Sequence, residues 1–210
     1  MSVTWPVGVQ EGRLDQADVD LLVAPFFQDH RPLRGPAARV DWRLCGLLSE
    51  QLAPGRATGA RGDAVLLATA GRFRAPCALA YGLGPRPGFS ARDLRRCAVD
   101  LLGRLAALRV GRVALALGDE NLFGFPVEVA TIAWLEGMAE GLLQRPAAFA
   151  LHLLAPDPKA VVHGIRQASE RLPSGVRLRP LGSREAPDRS AAPGVMPPRP
   201  ALAAALRPTA

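Results

Sequence analysis

Lysine is nearly missing from this 210-residue sequence: of 26 basic residues, only Lys159 is not an arginine. With 19 acidic residues the formal charge is +7. An almost pure arginine set beside 21 glycines and 20 prolines reflects a GC-rich coding sequence as readily as a surface selected for polyanions. The excess is also uneven. Residues 177–210 carry six Arg against Glu185 and Asp188, net +4, which leaves 26 − 6 = 20 basic and 19 − 2 = 17 acidic residues, net +3, for the remainder.

Other absences exclude whole classes of protein. No run of about 18 uncharged apolar residues occurs, so no membrane-spanning helix is expected. The start MSVTWPVGVQEGR lacks a basic segment followed by an apolar one, so no secretory signal is indicated and the expected location is the cytoplasm. The three cysteines, Cys45, Cys77 and Cys97, are odd in number, widely spaced and set in apolar segments. That pattern predicts reduced, buried thiols rather than disulfides or a metal site. The three histidines form no metal-ligand spacing, and neither H-E-x-x-H nor C-x-x-C is present, so no metal and no cofactor is expected.

What is present is enough apolar material, 49% of residues, for one substantial core. Residues 1–182 read as one domain. Beyond them, 183–210 are rich in Pro, Ala and Arg, with too few large apolar residues for a core, and read as a disordered tail. Within the domain, Val3–Val9, Asp20–Ala24, Ala64–Ala68, Cys77–Tyr81, Arg112–Leu117, Phe149–Leu154 and Val176–Leu181 read as strands. Helices are predicted over Pro36–Leu52, over residues 90–108 opened by a Ser90/Asp93 capping pair, over Pro126–Leu143, and after Asp157 and Pro158. Trp42 and Trp134 fall on these helices, where packing against the sheet or a neighbour accounts for them. The alternation predicts a three-layer α/β/α sandwich around a mixed, mostly parallel sheet covered on both faces. The mixed character is expected because no helix separates the first two strands.

Several stretches carry a family resemblance. The segment DVDLLVAPFFQDHRPLRGPAARVDWRLCGLLSE, followed by GDAVLLATAGRFRAPCALAYGLGPRPGFSARDLRRC, resembles the N-terminal domain of leucyl aminopeptidases across roughly residues 10 to 145. The resemblance implies a macro-domain-like fold. In that family the two-metal peptidase site lies in a separate C-terminal domain, whose N-T-D-A-E-G-R signature does not occur here, so no catalytic residue is assigned.

Because macro folds include ADP-ribose binders and ADP-ribosyl hydrolases, one stretch stands out: DENLFGFPVEVA at 119–130. It is similar to the macro-domain loop S-T-G-x-[FY]-G-[FYW]-P, which wraps a pyrophosphate. Phe123, Gly124, Phe125 and Pro126 agree with that pattern, and the resemblance makes Asn121, Leu122, Phe123, Gly124 and Phe125 the candidate ligand-binding residues. Asp119, Glu120 and Asn121 replace the S-T-G part. A phosphate loop needs free backbone N–H groups, little bulk and no nearby carboxylate, and the DEN sequence opposes each requirement. At about 4 Å a like-charge contact costs roughly 1 kcal/mol in water and more in a drier cleft.

Other macro-type positions are also altered. Gly12, Arg13 and Leu14 stand where the resemblance places G-D-I/L, with Asp15 as the nearest substitute. Ala24, Pro25, Phe26 and Phe27 stand in place of N-A-A-N, and LRGPAAR keeps a single glycine in the first loop. The stretch GLGPRPG at 82–88 imitates a dinucleotide fingerprint, but its spacing is wrong and its prolines delay the helix to Ser90, so it reads as a structural turn. Gly137 and Gly141 mark a flat helix face for close packing on the sheet or a subunit contact.

The expected function is therefore that of a stand-alone, non-catalytic macro-like domain acting in protein association or regulation, with an aminopeptidase subunit or a second copy as partner. The alternatives are an ADP-ribose or nucleotide-binding module, and DNA or RNA binding through the Arg-rich tail.

Overall fold

The short Val-, Leu- and Ala-rich runs form strands because side chains on both faces of their pleat reach buried layers. The computed structural model describes residues 3–10 and 13–181, so Gly12 and the proposed tail lie outside the described residues. In chain order the elements are β1 (Val3–Val9), a 3₁₀ turn (Leu14–Gln16), β2 (Leu21–Phe26), α1 (Gly35–Arg43), α2 (Leu47–Leu52), β3 (Ala64–Ala68), β4 (Cys77–Gly82), α3 (Ala91–Leu108), β5 (Arg112–Ala116), α4 (Glu120–Phe123), α5 (Val127–Gln144), β6 (Ala150–Leu154), α6 (Pro158–Arg171) and β7 (Val176–Pro180).

The strands form one seven-stranded sheet in the order β3-β4-β2-β5-β6-β1-β7. The sheet is mixed for a reason other than the expected one. β1 and β2 both run parallel to their neighbours, and only β3 runs antiparallel, against β4. β2 and β4 are buried along their whole length, as central strands with both faces covered must be.

On one face lie α3, α5 and α6. α3 begins with a complete capping box, in which Ser90 Oγ accepts from the Asp93 N–H while the Asp93 carboxylate accepts from the Ser90 N–H. α5 sits between its two neighbours and the sheet. Gly137 and Gly141 are the reason it fits: a Cβ on Gly137 would run into the Arg95 carbonyl oxygen, and one on Gly141 would lie 2.7 Å from Leu102 Cδ2. These glycines thus serve neither the sheet nor a subunit contact but the crossing with α3. On the other side, a Cβ on Gly164 of α6 would meet the Glu128 carbonyl at 2.9 Å.

The opposite face is covered by α1 and α2, whose Val40, Leu44 and Leu48 pack on Leu22, Ala24, Ala78, Ala80 and Ala114. This third layer covers only part of the sheet. Over β1 and β7 no helix lies on that side among the described residues, and Thr4, Arg177 and Arg179 are exposed there.

The single helix expected over Pro36–Leu52 is two helices. Cys45 and Gly46 take positive φ values of 56° and 87°, and the Gly46 N–H donates back to the Asp41 carbonyl at 2.9 Å. A left-handed glycine ends a helix at little cost because it has no Cβ to clash. Asp41 then starts the next helix, its carboxylate accepting from the Ser49 N–H (2.9 Å) and hydroxyl (2.6 Å).

Two expectations fail with the break. Cys45 is exposed rather than buried, its Sγ accepting from Arg72 Nη1, whereas Cys77 and Cys97 are buried as expected. Burial pushes the Cys97 thiol up to about 11. Trp134 is fully buried, but Trp42 is 79% exposed and does not pack on the sheet.

Candidate functional site

In an open α/β sheet, ligands enter the crevice beyond the carboxyl ends of neighbouring parallel strands. Here that crevice is framed by the loops after β2, β4 and β5. The β2 and β4 loops are stitched together by backbone bonds, Leu83 N–H to Phe26 O and Gln28 N–H to Gly84 O, both at 2.9 Å.

The loop after β5 contains the five candidate residues. It is not an open cradle but the short helix α4. Asp119 caps it, its Oδ1 accepting from the Leu122 N–H at 3.1 Å, and Gly124 ends it at φ 77° with its N–H bonded to the Glu120 carbonyl. The carboxylate that would repel a pyrophosphate therefore acts locally, occupying one of the loop's own donors. Asn121 is exposed, Leu122 and Phe123 are buried, and Phe125 is half-buried, stacked on Phe123 with ring centroids 5.5 Å apart.

Leu122 fills the space between the two phosphate-type loops. It is 3% exposed, and its methyls lie where side chains on Gly35 and Gly118 would go, at 3.3 and 2.6 Å from the ideal Cβ positions. Those glycines, which in an open cleft would let a ligand approach the backbone, here let Leu122 approach it.

Arg86, from the GLGPRPG turn, fills the adjoining space. Its N–H donates to Asp29 Oδ1 (2.8 Å) and its Nε to the Leu122 carbonyl (3.0 Å), while its guanidinium lies 5.5 Å over the Phe27 ring. A Cβ on Gly124 would collide with Arg86 Nη2, so Gly124 is needed to seat this arginine. Beneath it is an aromatic floor in which Phe27 meets Phe89 edge-on at 4.8 Å and Phe123 at 6.3 Å.

At the rim, His30 rests edge-on against Phe27 with its Nδ1 buried and unpartnered. Burial, together with Arg34, Arg86 and Arg31, holds this imidazole below its ordinary pKa, so it is neutral at pH 7. Asp15, the nearest stand-in for a macro-type acid, is ion-paired with Arg13 (3.1 Å) and with Arg43 (2.8 Å). No group of three or more His, Cys, Asp or Glu residues suited to a metal ion occurs among the described residues.

Sequence reasoning located this loop but missed Arg86, which it read as part of a turn. The available signal was weak: the prolines on either side restrict the backbone of Arg86 but not what its side chain meets. Exposure of Trp42 was more legible, because it follows Val40 by two residues and so falls on the far side of the helix from the Val40–Leu44–Leu48 stripe.

A second surface feature adjoins Trp42. An open groove of about 750 Å³ runs between α1, α2 and the loop before them, lined by Pro32, Leu33, Ala38, Trp42, Cys45 and Leu52 among others. It is mostly apolar and shares the loop after β2 with the strand-end cleft, through Arg31, Pro32 and Leu33.

With sheet order, helix layers and cleft together, the architecture is that of a macrodomain. It superposes on a mutant macrodomain from Oceanobacillus iheyensis with a TM-score of 0.61 at 10% identity, covering 79% of this chain and 93% of that one. For a Trypanosoma brucei macrodomain in complex with ADP-ribose the TM-score is 0.60 at 16% identity, covering 78% and 67%. A mutant of tomato leucine aminopeptidase aligns with a TM-score of 0.58 at 18% identity, covering 78% of this chain and 35% of that one. These likenesses show the fold.

The sequence narrows the class further. Residues 23–145, more than half of the chain, match the N-terminal domain of the cytosol aminopeptidase family, and the chain belongs to that family. Probable cytosol aminopeptidases from Streptomyces griseus and Thermosynechococcus vestitus are 33% and 32% identical over 123 and 126 residues, 56% and 59% of this chain. The matches span 22% and 24% of those relatives' lengths, less than a quarter of each. The family match is to the non-catalytic N-terminal domain alone.

Proposed function

We propose that this chain works as a non-catalytic macro-like module in protein association or regulation, with a cytosol aminopeptidase subunit or a second copy as its partner. The observation that carries this reading is the filled cleft: Leu122 and Arg86 occupy the space beside the loop, and Asp119 and Glu120 take two of its donors. An anion would have to displace an apolar side chain and break these bonds. Exposed Trp42 on an apolar groove supports association, since aromatic anchors beside apolar pockets dominate protein interfaces. No helix among the described residues is long and apolar enough to cross a membrane; the cytoplasm is the proposed location.

ADP-ribose or nucleotide binding at Asn121, Leu122, Phe123, Gly124 and Phe125 is the second reading, favoured by the retained Phe-Gly-Phe-Pro sequence and by likeness to a macrodomain solved with ADP-ribose. Nucleic-acid binding through the Arg-rich residues 183–210 is the third.

Three measurements separate them. Calorimetry with millimolar ADP-ribose is expected to give no heat; saturable heat would establish the second reading. Sedimentation of the protein alone, and mixed with a cytosol aminopeptidase of the same organism, is expected to show a complex, and Trp42→Glu is expected to weaken the one with the aminopeptidase at least tenfold. Failure to form any complex in either setting rejects association. Retention on DNA that disappears at high salt and on deletion of 183–210 would support the third reading instead.

A further inference from the structure

The two edges of the sheet are protected very differently. β7 ends one side with the sequence VRLRP, where Arg177, Arg179 and Pro180 obstruct pairing with another strand. β3 ends the other side with AVLLA, which has no charge, no proline and no glycine. Its hydrogen-bond phase is fixed by flanking bonds to the β4 side: Gly82 N–H to Asp63 O at 2.7 Å and Thr69 N–H to Pro76 O at 3.0 Å. Bonded pairs alternate along an antiparallel ladder. Val65 and Leu67 therefore bond to β4, and the N–H and C=O groups of Ala64, Leu66 and Ala68 point away from the sheet. Ala64 and Ala68 are exposed and Leu66 is half-buried.

We propose that β3 is the contact edge for a second copy of this chain, pairing antiparallel with its own counterpart about a two-fold axis at Leu66. This rests on the association reading and specifies its partner and surface. The strand suits itself. Two-fold pairing sets Leu66 against Leu66 and Ala64 against Ala68 twice, opposes no like charges, and uses about six outward backbone bonds. The product is a continuous sheet of twice seven strands. Strand pairing alone makes a small interface, so dissociation is expected on the order of 10–100 µM.

The test is sedimentation equilibrium up to millimolar protein, with circular dichroism verifying the fold of each variant. Wild type is expected to dimerise. Ala64→Lys with Ala68→Lys places lysine against lysine at two sites and is expected to weaken the dimer more than tenfold. Ala64→Asp with Ala68→Lys places opposite charges at the same sites and is expected to retain it; a general disturbance of the strand would affect both variants alike. Equal dimerisation of wild type and the lysine pair, or equal loss in both variants, overturns the proposal. Loss of the dimer in Trp42→Glu but not in the lysine pair overturns the β3 interface and leaves the association reading intact. Monomeric wild type at millimolar concentration also overturns it, and the association reading is then decided by the aminopeptidase mixture.

Discussion

Leu122 shows how one side chain sets the character of the cleft. In a loop built to hold an anion its position would carry a side chain pointing away from the ligand; here it points inward, between Gly35 and Gly118. Replacing it by Ala removes buried methyl groups from a site already confined by Pro36 and α4. Leu122→Ala is expected to cost about 2–4 kcal/mol, read from the urea unfolding midpoint, and a cost below about 1 kcal/mol would mean that the cleft is not packed shut. Arg86 acts differently: a charged group is tolerated against Phe27 because its Nε reaches the Leu122 carbonyl and its guanidinium faces the ring.

The helices make separate demands on their sequences. α3 depends on its first turn, where the Ser90–Asp93 box satisfies two N–H groups. Ser90→Ala is expected to lower stability by about 1 kcal/mol, measured by chemical denaturation. α5 depends on missing side chains. An exposed helical Gly→Ala change normally stabilises by about 1 kcal/mol, yet Gly137→Ala should destabilise by about 1–3 kcal/mol, because its Cβ would enter the Arg95 carbonyl of α3. A thermal midpoint that rises in Gly137→Ala would contradict this packing. Between α1 and α2 two consecutive left-handed residues, Cys45 and Gly46, make two helices of one, and Cys45 is exposed at the break.

For the molecule as a whole, acid should act in two steps. Burial, with Arg112 nearby, depresses the pKa of His152, and burial with neighbouring arginines depresses that of His30. A lowered histidine pKa means that the unfolded chain binds more protons once pH falls below about 6.5. Stability should therefore decline from pH 7 towards pH 5. Asp63 and Asp93 have depressed values for the opposite kind of reason: hydrogen bonds from Thr58 and Ser90 favour their charged forms. Their contribution is present above the ordinary carboxylate range and is lost as pH falls through the depressed values, below about pH 4. Urea titrations across pH 3–8 should show both declines, and a double His30→Gln, His152→Gln variant should lose only the upper one. A flat profile between pH 5 and 7 in wild type would count against this assignment.

The sequence by itself determined what depends on neighbours along the chain: strand segments, the capped start of α3, a Pro-led α6, and the family resemblance that places 119–126 beside a macro-type cleft. Strand order was decided only by tertiary structure. β1 lies between β6 and β7, and β3 alone reverses, because sheet position reflects which apolar faces can be covered together rather than any local spacing. The cleft followed the same division. The departure of DEN from a phosphate loop was visible in the residues, since charge and bulk are properties of single side chains. That Leu122 and Arg86 occupy the space beside it was not, because Arg86 lies 36 residues before Leu122 and only folding sets its guanidinium against Gly124.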